Sequence, residues 1–420
     1  MKRSLSGYLL AFLLTFSILT SAVVAPANAA EPKQNNYPIV LVHGFAGFDS
    51  LAGVPYWGFA YNIPKDLKSH GYIPIVASIG PFSSNWDRCC ELYAQLVGGR
   101  VDYGKVHSEK YGHERYGRTY PGLYPQFGST DPETGKRCKI HLIGHSMGGP
   151  TVRAFAALLA NGSQEEREGT PADELSPLFA GNMAGLIKGV LTIASPGDGT
   201  TAVYGLAGKG DKPSFLQQFV LGLTSLAGGT AASQVYDVYL DQWGFKRQAG
   251  ESLQAYLQRI ESSEIWQNTH DLSVWDLKPD GARELNAWAS AQPDIYYFSQ
   301  GASCTRKNAI TGYHVPTSKM SPIFWPTALY IGSYTQTRPF VIDKSWWEND
   351  GLVSVATADG PRAGSTDEIV IYDGEPQIGK WNYLGTLKNI DHMSMVGILS
   401  ANDPRPLFRS YAELLASLPE

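Results

Sequence analysis

The run Gly144-His145-Ser146-Met147-Gly148 has the residue types and spacing that covalent chemistry needs. A serine hydroxyl is a weak nucleophile until a base takes its proton and a carboxylate orients that base. Glycines two positions to either side allow a turn too tight for side chains. The pattern alone is weak, because an ordinary glycine turn with an exposed serine has the same letters. Its flanks strengthen it: Lys139-Ile140-His141-Leu142-Ile143 suits a buried strand, and Pro150 to Leu159 is patterned as a helix, with Pro150 in its first turn. A serine at such a strand-to-helix turn projects its hydroxyl from the carboxyl end of a sheet, near the positive end of the helix. The implied chemistry is acyl transfer with Ser146 as nucleophile.

The partners of such a serine follow it in the order acid, then histidine. Three histidines lie beyond Ser146: His270, His314 and His392. His392, in the polar segment Asn389-Ile390-Asp391-His392-Met393 near the end of the chain, fits that order. His270 lies in a polar surface stretch, and His314 leaves little room for an intervening acid. For the acid, Asp350 in Glu348-Asn349-Asp350-Gly351-Leu352-Val353 sits beside a glycine and leads into an apolar run. Asp343 and Asp373 are rivals, while Asp391 adjoins His392, and adjacent side chains on an extended loop point apart. A tetrahedral oxyanion needs two donors already in place. The backbone N–H of Met147 supplies one, and that of Phe45, in His43-Gly44-Phe45, the other.

These groups need a scaffold. Apolar runs at Pro38–Val42, Tyr72–Ala77, Lys139–Ile143, Val190–Ile193, Ile295–Phe298 and Ile369–Tyr372 predict strands, alternating with helical patterning near Asp66, at Pro150–Leu159 and at Ser252–Ile260. That alternation predicts an α/β fold with a mostly parallel central sheet and flanking helices. Residues 103–127, rich in Tyr, His, Arg and Gly without clear period, read as an insertion. Residues 200–232, apolar and glycine-rich, suit a core helix or a mobile lid.

The 420 residues carry 34 Lys+Arg against 39 Asp+Glu, net −5, with no basic cluster, which argues against nucleic-acid binding. Residues 1–29 combine Lys2 and Arg3, an apolar stretch and Ala27-Asn28-Ala29, the order of a cleaved secretory signal rather than a stable membrane anchor. Residues 30–420 are then one secreted, extracellular domain. Four cysteines, Cys89, Cys90, Cys138 and Cys304, imply one disulfide or none.

Longer runs extend the pattern: Val42-His43-Gly44-Phe45, Ser83-Ser84-Asn85-Trp86-Asp87-Arg88, Gly117-Arg118-Thr119-Tyr120-Pro121-Gly122, Leu240-Asp241-Gln242-Trp243-Gly244 and Glu348-Asn349-Asp350-Gly351. With the serine and histidine segments, these resemble secreted lipases of thermophilic bacilli and staphylococci. The resemblance implies an α/β-hydrolase fold, triacylglycerol lipase activity at an oil–water interface, the triad Ser146, Asp350 and His392, and a lid within 200–232. The same triad also serves a carboxylesterase on soluble short-chain esters, or an inert scaffold that only binds. The resemblance further implies a structural zinc pinning the 103–127 insertion, held by Asp87, His107, His113 and Asp241. Two imidazoles and two carboxylates suit that ion. The family's calcium has a less complete match. Thr311-Gly312-Tyr313-His314 is present, but Ser394 replaces an expected carboxylate and Leu399-Ser400 an expected Asp-Pro, although Asp403-Pro404 follows shortly after.

Overall fold

The computed structural model describes residues 33–205 and 214–420. The signal segment therefore lies outside the described residues, as does part of the lid region.

Seven parallel strands form the central sheet: β1 Ile39–Val42, β2 Pro74–Ala77, β3 Ile140–His145, β4 Ile187–Ile193, β5 Tyr296–Ser303, β6 Ile369–Ile371 and β7 Trp381–Lys388, in the order β6-β7-β5-β4-β3-β1-β2. The α/β expectation holds, and every strand pair in the sheet is parallel. Continuous apolar runs arise because both faces are covered. Ile39 and Leu41 of β1 join one buried cluster, and Val40 and Val42 join the other.

β7 is the strand that apolar runs did not reveal. Its sequence mixes Asn382, Gly385 and Thr386 into the run, and its register against β5 shifts between Tyr383 and Thr386. A bulge of that kind breaks the alternation by which a strand is recognised.

The described helices include α1 Ile63–Ser69, α2 Asn85–Val97, α3 Lys105–Tyr111, α4 Gly148–Asn161, α5 Phe215–Gly228 and α6 Leu253–Glu261. Ser84 caps α2 by accepting from Asp87 N–H at 3.1 Å, which fixes where that helix begins. α4 is buried along nearly its whole length.

The 103–127 insertion is ordered. After α3 it forms the strand Tyr116–Tyr120, which pairs antiparallel with Gly99–Asp102. Among the described residues no helix is long and apolar enough to cross a membrane. All four cysteines are buried free thiols, which selects no disulfide from the two expected options.

Candidate active site and a buried metal-ligand group

The sheet order reverses beside β1, which lies between β3 and β2. Such a reversal opens a crevice at the carboxyl ends of the strands. Ser146 sits there, immediately after β3, with a left-handed φ of 56°. That conformation is unusual for a non-glycine residue and stores strain at the turn. Its neighbours make the strain affordable. A Cβ at Gly144 would lie 2.4 Å from Gly148 O, and one at Gly148 would lie 2.2 Å from Val42 O. Only glycine permits this approach of β1, β3 and α4. Ser146 N–H donates to Ile193 O at 2.9 Å, which anchors the turn to β4.

His392 and Asp350 meet at this end of the sheet. The His392 Nδ1–Asp350 Oδ2 distance is 2.8 Å, and both residues are buried. Asp350 is itself held: its Oδ1 accepts from Leu352 N–H at 2.9 Å and Val353 N–H at 2.8 Å. His392 N–H also donates to Asp350 O at 2.9 Å, so backbone and side chain fix one geometry. The rivals are elsewhere. Asp343 and Asp373 are exposed, and Asp391 turns away to accept from Ser321 N–H at 2.8 Å and Ser394 N–H at 2.9 Å. His270 stacks on Trp275, with ring centroids 3.4 Å apart.

The two N–H groups assigned to the oxyanion are free to serve. Among the described backbone bonds neither Phe45 N–H nor Met147 N–H is engaged, whereas Ala46 N–H donates to Pro81 O at 3.1 Å. Gly44 packs directly on Ser146, since a Cβ there would lie 2.6 Å from Ser146 Cβ. Behind the serine, His145 Nδ1 lies 2.7 Å from the Tyr56 hydroxyl and its Nε2 lies 3.0 Å from His392 O. Burial, then the charge of His392, hold the His145 imidazole far below its ordinary pKa, so it stays neutral. Phe45, Ser146, Val203, Phe219, Leu352 and His392 line an apolar cleft. Phe219 comes from α5, whose inward face also buries Leu216, Val220 and Leu223.

A second buried group lies beside α2. Asp87 on α2, His107 on α3, His113 just beyond α3 and Asp271 bring their ligand atoms within 4.8 Å of one another. His107 Nε2 is 3.5 Å from Asp87 Oδ1 and 3.1 Å from Asp271 Oδ1, and His113 Nε2 is 3.2 Å from Asp271 Oδ2. Ligands about 2.0–2.1 Å from a tetrahedral ion stand about 3.3 Å apart. Asp87 Oδ1, His107 Nε2, His113 Nε2 and Asp271 Oδ2 are all buried without a hydrogen-bond partner. Four such orphans together are costly unless a cation satisfies them. Burial works to lower His107, yet Asp271 and Asp87 outweigh it and raise the imidazole to about 9. Asp87 is itself raised, by burial first and then by the charge of Asp271. Both directions mark a pocket short of positive charge.

Asp241 is not in this group, and Asp271 takes the place expected for it. Asp241 lies in the 3₁₀ turn Asp241–Trp243, where successive side chains diverge by about 120°. Its carboxylate faces outward and accepts from Arg118 Nε at 2.6 Å. Its neighbour Gln242 points inward instead, and Nε2 donates to Asp87 Oδ2 at 2.8 Å. Asp271 reaches the group because Leu272 bridges to Ser83, just ahead of α2. That pairing across the chain leaves no local signal in the sequence.

The relatives of the chain settle its family. A family model described as "Lipase-like, C-terminal domain" matches residues 35–415. The chain belongs to this lipase family. Lipase 1 of Staphylococcus aureus is 38% identical over 402 residues, covering 92% of this chain and 55% of that protein. The chain thus spans about half the length of the curated relatives it matches. Among solved structures, EstA from Clostridium botulinum is 43% identical with a TM-score of 0.84, covering 93% of this chain and 89% of that one. Lipase 1 from Pelosinus fermentans is 47% identical with a TM-score of 0.83, covering 92% and 100%. The α/β-hydrolase architecture of this lipase-family chain is common to these neighbours.

Proposed function

We propose that the chain is a secreted triacylglycerol lipase that works by two-step acyl transfer through Ser146, His392 and Asp350. The observation that carries this reading is the His392–Asp350 contact of 2.8 Å beside the strained Ser146 in an apolar cleft. Ser146 Oγ attacks the ester carbonyl while His392 takes its proton. The N–H groups of Phe45 and Met147 stabilise the oxyanion. His392 then protonates the departing glycerol oxygen, and water, activated by the same imidazole, releases the fatty acid from Ser146. Asp350 holds the ring and stabilises its charged form.

The cleft lining is suited to an acyl chain, and α5, within the 200–232 region, would form a lid over it. A secretory signal in residues 1–29 accounts for export. Asp87, His107, His113 and Asp271 would hold a structural zinc, because two carboxylates and two neutral imidazoles match its charge and preferred ligands. That ion would brace the insertion and supplies no step of the reaction. Calcium does not fit the loop after His392: Ser394 offers no carboxylate, and Asp391 is already committed to two backbone donors.

Triglycerides of graded chain length, assayed below and above the concentration at which they form an emulsion, test the reading. Turnover should rise on long-chain emulsions. Activity confined to dissolved short esters would make the protein a carboxylesterase instead.

A further inference from the structure

Arg88 follows Asp87 on α2 and is completely buried. Its Nε donates to Thr151 Oγ1 at 2.9 Å, Nη1 to Gly80 O at 2.7 Å and Nη2 to His43 O at 2.5 Å. Among the described ion pairs none includes this guanidinium: its hydrogen bonds go to hydroxyl and carbonyl oxygens, and the buried Glu91 carboxylate, which accepts from Gly80 N–H, acts on it through space. Keeping such a charge out of water is costly. An apolar side chain could fill the space between α2 and the sheet without that penalty.

The ends of its arms explain the choice. His43 lies two residues before Phe45, and Gly80 lies on the loop that holds Ala46 through Pro81 O at 3.1 Å. Thr151, on the second turn of α4, has its hydroxyl 3.0 Å from Met147 O and 2.7 Å from Asn85 Oδ1. One planar, five-donor group therefore reaches both backbone segments whose N–H groups face the oxyanion. Lysine, with a compact charge and rotatable donors, could not bridge them in the same way.

We propose that Arg88 is a positioning residue that holds the two halves of the oxyanion hole in register. This rests on the assignment of Phe45 and Met147 as oxyanion donors. The geometry is sensitive, because Gly44 touches Ser146 and leaves no slack between loop and nucleophile. Losing one oxyanion donor outright typically costs about 10²–10³ in rate. Loosening both without removing either should cost less, about 10- to 100-fold.

The test compares wild type, Arg88→Gln and Arg88→Lys on a soluble short-chain ester. Active sites are counted by phosphonate titration, and affinity for an alkyl boronic acid, which mimics the tetrahedral adduct, is measured in parallel. Arg88→Gln should lower kcat per titrated site by about 10- to 100-fold, with KM nearly unchanged and boronate affinity falling in step. Arg88→Lys should recover part of both. If Arg88→Gln does not fold, Thr151→Val removes a single arm and should move both quantities the same way, a few-fold. Loss of titratable sites alone, with kcat per site and boronate affinity unchanged, would reduce Arg88 to a brace for the fold and overturn the proposal. Failure of the nucleophile assignment is visible separately, as wild type that does not titrate at Ser146.

Discussion

His392 with Asp350, and Asp87 with His107, His113 and Asp271, are both buried clusters of histidine and aspartate. Their differences lie in what reaches the carboxylates. Asp350 has one oxygen on His392 and the other filled by Leu352 and Val353 N–H. The result is an imidazole held in one orientation beside Ser146. In the second cluster, two carboxylate oxygens and two imidazole nitrogens converge, each buried without a hydrogen-bond partner. On the function proposed above, the same residue types make a proton-handling pair where backbone N–H groups saturate the acid, and a cation cradle where they do not.

The sharpest way to break this contrast is Asp350→Asn. Leu352 and Val353 N–H require an acceptor, so the amide oxygen turns to them and the NH₂ faces His392. That favours the wrong tautomer, and kcat should fall by about 10⁴ with metal content unchanged. Retention of more than a tenth of wild-type kcat would show that Asp350 does not orient the base.

The reciprocal change is Asp271→Asn or exhaustive chelation. Each should reduce about one zinc per chain to none and lower Tm by roughly 5–10 °C, while the phosphonate still labels Ser146. Full metal content in Asp271→Asn by elemental analysis would remove this residue from the ligand set. Asp241→Asn sharpens the same point with the smallest effect. It loses a partly exposed ion pair with Arg118, worth about 0–1 kcal/mol, and should keep its metal.

How much of this was legible depended on the range of the signal. That Ser146, Asp350 and His392 come to one end of the sheet was readable because a glycine turn, an Asp-Gly step and chain order are local or sequential features. β1 to β6 were readable because burial on both faces makes their runs apolar. β7 was not, since its bulge and polar residues erase the period. The insertion showed no clear period because polar contacts hold it, including Arg115 Nε to Asp102 Oδ1 at 3.0 Å, and these carry no hydrophobic rhythm. Asp271 was hidden for a related reason: its neighbour Leu272 meets Ser83, 189 positions earlier in the chain, a distance no motif spans. Asp241 was the plausible wrong choice, because it stands next to Gln242, which does touch Asp87.

The central claim is that Ser146 is the acylated residue. Mass spectrometry of the chain after brief incubation with a p-nitrophenyl alkylphosphonate addresses it directly. The account predicts one adduct per chain, on the peptide containing Ser146, formed in proportion to loss of ester hydrolysis and absent in Ser146→Ala. Complete inactivation with the adduct on another residue, or a folded Ser146→Ala that still hydrolyses esters at the wild-type rate, would contradict it.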